Sequence, residues 1–473
     1  MTVSIPFDNS FAALPPAFFS RVTPTPVKHP KLRAFNGPLA QILRITATEA
    51  EDMARVFSGN TLPDGADPVA QLYAGHQFGN FNPQLGDGRA ILLGEVTGTD
   101  GQRRDIQLKG SGPTPYSRMG DGRAWLGPVL REYVVSEAMA AMGVPTTRAL
   151  AVVETGEPVY REAGALPGAV LTRVAASHLR VGTFQVFAAR GQKAQLQRLT
   201  DYAIARHYPD AEGPMGLLRA ACAAQARLIP QWMAVGFIHG VMNTDNAAIS
   251  GETIDYGPCA FLDTYDAETV FSSIDRGGRY AYGNQPDIAV WNMAQLASAL
   301  VGLMPDTDAA IAEATEIVHA MPEMIRSEWT RRFAAKIGIP TPRDGDAALV
   351  GDLLERMQSQ RADFTNTFRA LITGNARDQF TDPTAFDGWE PLWRARLEDE
   401  NHALATMRAA NPAVIPRNHR LEEMIAAAVA GDYGPFERLN AVLAHPFEDL
   451  TDARDLASPP APHEVVAATF CGT

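Results

Sequence analysis

Residues 236–263 read GFIHGVMNTDNAAISGETIDYGPCAFLD, and this segment is the most informative part of the sequence. His239 precedes Asn246 by seven residues, and Asp255 begins an Asp-Tyr-Gly sequence nine residues after Asn246. An asparagine and an aspartate brought together supply the oxygen ligands that Mg²⁺ takes beside nucleotide phosphates. The segment therefore predicts a metal and nucleotide site built from Asn246 and Asp255.

The two spacings match the catalytic loop H-R-D-x-x-x-x-N and the Asp-Phe-Gly element of protein kinases. There is one departure, because the position of the kinase catalytic aspartate holds Val241. Asp245 is the only carboxylate within this loop that can replace it as the base. Taken alone, His239 is typical of a packed, hydrogen-bonded side chain and Asn-Thr-Asp-Asn of a turn, so the order of further motifs has to decide.

A glycine-rich turn lies upstream, in QLGDGRAILLGEV at 84–96. Gly86 and Gly88 let the backbone approach phosphate oxygens, and Arg89 can bind them with paired donors. A tight hairpin with a solvated arginine fits the same residues equally well.

Lys109 ends the strand-like run DIQLKG at 105–110 and is followed by a helical pattern at 125–142. A strand lysine paired with a helix carboxylate holds nucleotide phosphates in kinase-like sites. The helix offers Glu132 and Glu137, and sequence spacing does not choose between them. The alternative is an exposed strand lysine.

Between this strand and helix lies GSGPTPYSRMGDGRAW at 110–125, which is longer than a simple connection needs and contains Asp121 and Gly122. Long loops of small residues are often functional, although a flexible crossover is the alternative. Arg173 and Arg180 follow seven residues apart, where a cleft would open. Two arginines there suit a triphosphate, or they serve as ordinary ion-pair partners.

The order of these motifs predicts an α+β protein with an atypical protein-kinase-like bilobal fold, a small sheet-rich N-lobe and a large, mainly helical C-lobe. We expect residues 1–175 to form two parts. The first 70 residues or so would be a proline-rich extension that lies over a surface, and the remainder would be the sheet-rich nucleotide-binding lobe. Residues 176–457 would form the helical catalytic and substrate lobe, and 458–473 a flexible tail that begins with SPPAP and contains Cys471. The helical patterns of the C-lobe lie at 214–235, 287–304, 308–336, 347–373 and 397–410.

The composition limits the function further. The 473 residues carry a net charge of −13, which argues against a chain that coats nucleic acid or anionic lipid. Three scattered cysteines suit a reducing compartment. No run of 18 apolar residues and no targeting signal is evident in the sequence, so we expect a cytoplasmic monomer without membrane or nucleic-acid partners.

Several long segments, in this order along the chain, resemble the selenoprotein O family, and the resemblance extends over essentially the whole chain. The matching segments are YAGHQFGNFNPQLGDGRA at 73–90, QLKGSGPTPYSRMGDGRAWL at 107–126, LREYVVSEAMAAMGVPTTRAL at 130–150, GFIHGVMNTDN at 236–246, IDYGPCAFLD at 254–263 and GRYAYGNQPDIAVWNMAQLA at 278–297.

The resemblance implies a protein adenylyltransferase that binds ATP in an inverted pose, transfers AMP to a Ser, Thr or Tyr hydroxyl of a protein substrate, and releases pyrophosphate. It implies that Asp245 accepts the hydroxyl proton and that Asn246 and Asp255 hold Mg²⁺ or Mn²⁺. It also implies that Glu132 pairs with Lys109. The implied nucleotide contacts are Gly86, Gly88, Arg89, Lys109, Asp121, Gly122, Arg173, Arg180 and Asp255.

Cys471, third from the C-terminus in FCGT, resembles the cysteine-containing bacterial form of the family. Some relatives pair this cysteine with one in the segment that corresponds to VFSSIDRGGRY at 270–280, which has none here. An intramolecular redox latch of that kind is not expected, whereas an intermolecular disulfide of Cys471 remains a hypothesis. Cys259 is expected to be a small packed side chain.

Two other functions compete with adenylyl transfer. A conventional protein kinase with Asp245 as its base is disfavoured by Val241. A nucleotide-binding pseudokinase that acts as a scaffold is disfavoured by the presence of Lys109, Asn246 and Asp255, since a silent scaffold needs no complete metal and phosphate set.

Overall fold

A sheet of eight strands dominates the N-terminal part of the chain in the computed structural model, which describes residues 2–162, 164–449 and 452–470. The strands of these residues are, in chain order, β1 Val3–Ser4, β2 Phe19–Arg21, β3 Lys31–Phe35, β4 Thr46–Ala47, β5 Val69–Gln71, β6 Gly75–Gln77, β7 Asn80–Asn82, β8 Ala90–Thr97, β9 Arg103–Lys109, β10 Ala124–Trp125, β11 Arg148–Arg161, β12 Gly164–Ala175, β13 Phe237–Ile238 and β14 Ala260–Phe261.

The sheet is antiparallel, with the strand order β2-β5-β8-β9-β12-β11-β3 and with β10 paired to β12. Its centre is apolar, because β8 contains the run Ile-Leu-Leu and is buried along almost its whole length. The strands predicted from ILLGEV, DIQLKG and AVLTRV are confirmed within β8, β9 and β12.

The register of the central strands places the polar side chains of the site next to one another. Lys109 of β9 lies opposite Ala90 of β8 and Leu171 of β12. Two residues earlier on β9, Gln107 lies directly opposite Arg173 of β12. Since side chains two residues apart on a strand share a face, Gln107 and Lys109 project from the same face of β9.

The helix predicted at 125–142 is confirmed as α3, Leu126–Ala141. Leu126, Leu130 and Val134 recur at four-residue steps and are fully buried. Gly143 adopts a left-handed φ of 78° just beyond the helix, which is the conformation glycine supplies at a helix C-terminus. This helix packs against β11 and β12 on one side and against helices from the end of the chain on the other.

The remainder of the chain is mainly helical. The helices of the described residues are, in chain order, α1 Gly37–Ile42, α2 Ala50–Phe57, α3, α4 Val181–Ala189, α5 Lys193–His207, α6 Gly213–Ala234, α7 Gln285–Val301, α8 Thr307–His319, α9 Met321–Lys336, α10 Asp346–Gln360, α11 Phe364–Thr373, α12 Thr384–Asp387, α13 Glu390–Arg396, α14 Glu400–Ala410, α15 Asn418–Val429, α16 Gly434–Leu443 and α17 Arg454–Ala457.

Two long helical predictions each correspond to two helices. The pattern at 308–336 divides into α8 and α9 at Ala320, because Pro322 occupies the first turn of α9 and lacks the N–H that would continue α8. The pattern at 347–373 divides at Arg361, which has a left-handed φ of 55°, and Asp363 caps the start of α11 through its side chain. The spacing of apolar residues continues across both breaks, so the sequence pattern did not reveal them.

The first 70 residues supply β2 and β3, the two edge strands of the sheet. They also bury aromatic side chains against the helical part: the rings of Phe18 and Phe187 lie 4.7 Å apart, and those of Phe11 and Tyr202 lie 6.0 Å apart. The proline-rich sequence of this segment, which suggested an extension laid over a surface, did not reveal these contributions to the core.

The α+β class is confirmed, with a sheet-rich N-terminal region and a helical C-terminal region. The kinase-like bilobal fold and the division at residue 175 remain predictions. Across the part of the chain that the structure describes, no helix is long and apolar enough to cross a membrane.

Candidate active site

A cavity of about 800 Å³ lies at the end of the central strands, where the sheet meets the segment 241–258. Its lining contains eleven of the twelve predicted site residues: Gly86, Gly88, Arg89, Lys109, Asp121, Gly122, Arg173, Arg180, Asp245, Asn246 and Asp255. The twelfth, Glu132, is bonded directly to Lys109. The structure therefore brings together residues that are up to 169 positions apart in the sequence.

Lys109 settles the choice between the two helix carboxylates. Its Nζ lies 2.6 Å from Glu132 Oε2 and 2.6 Å from Asp255 Oδ1. Glu137 instead accepts hydrogen bonds from Arg148, at 2.6 Å, and from the side chain of Asn36, at 2.7 Å. Glu132 is thus the partner of Lys109, and Glu137 attaches α3 to β11.

Arg173 and Arg180 are both buried at this cavity. Arg173 Nη1 donates to Asp255 Oδ1 at 2.7 Å and to Glu132 Oε1 at 3.2 Å. Arg180 is the residue before α4, and its Nη1 donates to the backbone oxygen of Asp245 at 3.0 Å. Its Nη2 is buried without a hydrogen-bond partner among the described residues. Each nitrogen of the Arg173 guanidinium is therefore hydrogen-bonded, whereas Nη2 of Arg180 is not.

Asp255 is the carboxylate on which the cations converge. Besides Lys109 and Arg173, Arg180 lies 3.7 Å from its Oδ2. Burial alone would raise the pKa of Asp255, but the three cations outweigh it and hold the pKa well below its usual range. The residue also has a left-handed φ of 63°, a conformation that few non-glycine residues adopt. Asp255 is ionised at neutral pH and is held by contacts in an uncommon backbone conformation.

Asp245 occupies a different environment within the same cavity. It lies in a short 3₁₀ turn, Thr244–Asn246, and is buried, with Oδ1 lacking a hydrogen-bond partner in the described chain. Gln77 donates to its Oδ2 at 3.2 Å. Burial raises the pKa of Asp245 to about 6. Such a carboxylate is deprotonated at neutral pH and is basic enough to accept a proton.

The backbone packs closely around Asp245. A Cβ atom on Gly75 would lie 2.4 Å from Asp245 Oδ1, so only glycine fits at that position of β6. In the same strand, the backbone N–H of His76 donates to Thr244 Oγ1 at 2.7 Å. The hairpin of β6 and β7 thus holds the turn that presents Asp245.

Asn246 and Val241 show how this loop differs from a kinase loop. The Nδ2 of Asn246 donates to the backbone oxygen of Val241 at 2.9 Å, which leaves the amide oxygen as the other polar atom of the side chain. Val241 lines the cavity with an apolar side chain. His239 lies outside the cavity lining, where its Nε2 contacts the Ile254 carbonyl oxygen at 2.8 Å and its ring stacks on Trp232. His239 therefore supports the segment before Asp255, as expected of a packed histidine.

The loop at 111–123 folds over the glycine-rich turn. A Cβ on Gly86, which has a φ of 125°, would lie 2.5 Å from the ring of Tyr116. Thr114 Oγ1 donates to the carbonyl oxygen of Asp87 at 2.7 Å. Farther along the loop, both carboxylate oxygens of Asp121 accept hydrogen bonds from Arg161, at 2.8 and 3.1 Å. The loop therefore forms one wall of the cavity and is fastened to the end of β11.

Some residues at the site were not predicted. Asp87 lies within the Gly-Asp-Gly-Arg sequence, and Gln107 is two residues before Lys109. Their positions beside predicted site residues could therefore have identified both. No sequence pattern identified Arg161 or Gln77, because their contacts are with segments that are distant in the sequence. The cavity-lining residues without a prediction include Tyr73, Gln77, Asp87, Tyr116 and Arg161.

The C-terminal segment contacts the chain at 258–271, just beyond Asp255. Thr469 Oγ1 donates to the carbonyl oxygen of Pro258 at 2.5 Å, and Thr469 N donates to Phe271 O at 2.7 Å. Cys259 is buried, and burial raises its pKa to about 12, which agrees with the predicted packed thiol. Cys471, for which a redox role was considered, lies outside the described residues.

Comparisons with known proteins identify relatives that match over the whole chain. A family model described as protein adenylyltransferase SelO matches residues 1–444. The protein nucleotidyltransferase YdiU of Ruegeria pomeroyi is 70% identical over 473 residues, which cover 100% of both chains. Proteins of the same name from Roseobacter denitrificans and Rhodopseudomonas palustris are 68% and 57% identical, again over 100% of both chains.

Proposed function

The chain belongs to the SelO family of protein adenylyltransferases, and we propose that the cavity described above is where it binds ATP and transfers AMP to a protein hydroxyl. One observation carries this assignment: a buried carboxylate of raised pKa, Asp245, lines the same cavity as Lys109, Arg173 and Arg180. A base and a set of phosphate-binding cations are the two components that transfer of a nucleotidyl group to a hydroxyl requires.

Lys109, Arg173 and Arg180 bind the phosphates in this proposal. Their positive charges neutralise the charge that develops on the phosphate oxygens during transfer. Before ATP binds, Lys109 and Arg173 are paired with Asp255 and Glu132. Of these three side chains, Arg180 is the one with a nitrogen, Nη2, that has no hydrogen-bond partner among the described residues, so it can bind a phosphate without breaking an existing hydrogen bond.

A divalent ion, Mg²⁺ or Mn²⁺, fits the oxygen atoms that Asn246 and Asp255 present. Asn246 uses its amide nitrogen on Val241 O, and Asp255 Oδ1 is taken by Lys109 and Arg173, which leaves Asn246 Oδ1 and Asp255 Oδ2 to hold the ion. Within the described ranges, no three His, Cys, Asp or Glu side chains converge as a metal site. Two oxygen ligands suit an ion that is otherwise held by phosphates and water, and such an ion neutralises phosphate charge.

The transfer step then uses Asp245 as the base. Asp245 accepts the proton of a Ser, Thr or Tyr hydroxyl, the oxygen forms a bond to the α-phosphorus, and the bond to the β-phosphate oxygen breaks to release pyrophosphate. This step requires the α-phosphate to face the acceptor, as in the inverted ATP pose of the family. Asp245 takes the role that the residue at the position of Val241 has in kinases.

The kinase-like fold forms part of the same proposal. Its support is the placement of Lys109 at the end of a central strand, its bond to Glu132 on the first long helix after that strand, and the arrival of Asn246 and Asp255 at one cavity. These are the contacts that define a kinase nucleotide site.

The position of the radioactive label in ATP tests the reaction. The purified chain, alone and with a bacterial lysate, is incubated with Mg²⁺ or Mn²⁺ and with ATP labelled at the α- or the γ-phosphate. We expect wild type to transfer only the α-label to protein. We expect Asp245→Asn to transfer neither label. Acquisition of the γ-label would show a kinase, and no incorporation of either label with either ion would contradict the proposal.

A matched control guards against loss of the fold. Asp363 is a buried carboxylate that pairs with Arg417 in the helical region, away from the cavity lining. Asp363→Asn makes the same chemical change as Asp245→Asn, and it should leave incorporation of the α-label intact in the folded fraction.

A further inference from the structure

Two buried polar side chains lie beneath the arginine pair and take no part in the mechanism above. Asp87 belongs to the glycine-rich turn, and Gln107 belongs to β9; they are 2% and 0% exposed. Buried polar groups are costly unless they are hydrogen-bonded, so their partners indicate what holds them there.

Gln107 connects Asp87 to Arg173. Its Nε2 donates to Asp87 Oδ2 at 3.1 Å, and its Oε1 accepts from Arg173 Nε and Nη2 at 3.2 and 2.6 Å. An amide nitrogen can only donate and an amide oxygen can only accept. Because the amide nitrogen of Gln107 donates to Asp87, its amide oxygen must face Arg173. The hydrogen bonds to that oxygen then fix the direction of Nε and Nη2 of Arg173.

Asp87 also faces Arg180. Its Oδ1 lies 3.8 Å from Arg180 Nη2, the donor that has no hydrogen-bond partner among the described residues. The guanidinium of Arg180 packs over the ring of Tyr73, with 4.4 Å between Cζ and the ring centroid. The carboxylate thus attracts Arg180 without occupying the donor, and the aromatic ring fixes the plane of the guanidinium.

We propose that Asp87 and Gln107 are positioning residues that hold Arg173 and Arg180 in the orientation that receives the phosphates of ATP. Asp87 acts on Arg180 by charge, and it acts on Arg173 through the oriented amide of Gln107. This inference rests on the proposed function, because it assumes that the two arginines bind the phosphates. It adds that the glycine-rich turn contributes to binding through its buried aspartate as well as through its backbone.

A purely structural role is the alternative. Asp87 Oδ2 also accepts a hydrogen bond from the backbone N–H of Gln71, at 3.1 Å, which fastens the turn to β5. If this were its only role, replacing Asp87 would lower stability without acting through either arginine. A double-mutant cycle separates the two roles, because it measures whether one side chain acts through another.

The test measures the dissociation constant of MgATP by calorimetry for wild type, Asp87→Asn, Arg180→Gln and the double variant. Loss of one charge-assisted contact should weaken binding by about tenfold in Asp87→Asn. In the Arg180→Gln background the same change should matter by less than about twofold, because the amide oxygen that Asp87→Asn leaves can still accept from Gln107 and keep the route to Arg173. Equal effects of Asp87→Asn in the two backgrounds, or no effect in wild type, would overturn the inference for Asp87.

A second cycle keeps the test decisive if Asp87→Asn does not fold. Gln107→Met keeps the size of the side chain and removes both of its hydrogen bonds, and it is paired with Arg173→Gln. The expected pattern is the same, with MgATP binding weakened in wild type and little changed when Arg173 is absent. If Gln107→Met weakens binding equally in both backgrounds, Gln107 does not act through Arg173 and the inference fails.

The controls distinguish failure of this inference from failure of the proposed function. Asp363→Asn, which alters a buried ion pair outside the cavity lining, should leave MgATP affinity within about twofold of wild type. If wild type itself binds no MgATP, the proposed function and this inference both fail. If wild type binds MgATP and neither cycle shows coupling, only this inference fails.

Discussion

Two clusters of buried charge share the strands of the central sheet, and they behave in opposite ways. The cavity cluster consists of Lys109, Glu132, Arg173, Arg180 and Asp255. The junction cluster consists of Glu95, Asp105, His178, Arg206 and Glu252, and it lies where the sheet meets α5. Strand β9 contributes to both, since Asp105 and Lys109 are four residues apart.

The junction cluster lines no part of the cavity, although Nε2 of His178 is buried without a hydrogen-bond partner among the described residues. Arg206 is bonded to Glu95, to Asp105 at 2.5 Å and to the carbonyl oxygen of Ala176, and Asp105 also contacts Nδ1 of His178 at 2.9 Å. Burial dominates here: it raises the pKa of Asp105 well above its usual range and lowers the pKa of Arg206 to about 9. The charged groups of this cluster pair with one another, and the pairs join α5 to the sheet.

The cavity cluster is open. Its cations outweigh burial and lower the pKa of Asp255, and Arg180 Nη2 lacks a hydrogen-bond partner among the described residues. The nearby base, Asp245, likewise has an unpartnered Oδ1 within the described chain. Buried charge alone therefore does not identify a functional site. Unpartnered polar atoms that line a cavity do, and the following predictions test this difference.

The largest expected effect is that of Asp245→Asn at the open site. Removal of the base should lower the rate of AMP transfer by at least about a hundredfold. The melting temperature should stay at or above that of wild type, because the change removes a charge that burial disfavours. Single-turnover incorporation of α-labelled AMP and thermal unfolding measure the two quantities; a lower melting temperature with normal transfer would reverse the assignment.

The corresponding change in the junction cluster is Arg206→Met. It leaves Glu95 and Asp105 without their cation, and uncompensated buried charge destabilises proteins by about 3–5 kcal/mol. Urea unfolding monitored by fluorescence measures this loss. The transfer rate per folded molecule should remain that of wild type. A lost rate in a fully folded variant would show that the two clusters are not separate in function.

Lys109→Met tests the cation that the sequence identified first. It should lower kcat/KM for ATP by about ten- to a hundredfold, because a charge-assisted phosphate contact is lost. The free energy of unfolding should change less than in Arg206→Met, since Arg173 still balances Glu132 and Asp255. Steady-state kinetics and urea unfolding provide the comparison, and a greater loss of stability than of activity would make Lys109 structural.

The pH profile of transfer tests Asp245 without a mutation. Since burial raises its pKa to about 6, the carboxylate becomes protonated, and unable to accept a proton, as the pH falls through that value. We expect kcat/KM to be half-maximal near pH 6, to fall further below it, and to become level at about pH 7. A profile that stays level down to pH 5 would remove Asp245 as the base.

The smallest expected effect concerns Glu252 in the junction cluster. Burial raises its pKa to about 7, so the folded state holds its proton more tightly than the unfolded state, and this contribution to stability is lost as the pH rises through 7. Wild type should lose about 1 kcal/mol of stability between pH 6 and pH 8 through this group, and Glu252→Gln should remove that loss. Urea unfolding at pH 6 and pH 8 gives the difference; an unchanged pH dependence would show that Glu252 does not titrate as described.

The same contrast explains what the sequence could predict. The cavity cluster was predictable in outline because its residues belong to motifs of fixed spacing, such as Asn246 and Asp255, or to a strand end, such as Lys109. The choice of Glu132 over Glu137 required the resemblance to a family, since both lie on one helix and only the packing of α3 decides which faces Lys109.

The junction cluster could not be predicted. The run DIQLKG places Asp105, Gln107 and Lys109 on one face of β9, but it does not show what covers each of them. Arg206 covers Asp105 from α5, about a hundred residues later, and no motif surrounds either residue. Pairing between distant segments depends on tertiary packing, which a local pattern does not contain.

The most direct test of the account is a crystal structure of the chain with Mg²⁺ and a non-hydrolysable ATP analogue. We expect phosphates bound to Lys109, Arg173 and Arg180, the ion on Asn246 and Asp255, and the α-phosphate as the phosphate nearest to Asp245. An analogue bound with its γ-phosphate nearest to Asp245, or bound outside this cavity, would contradict this expectation.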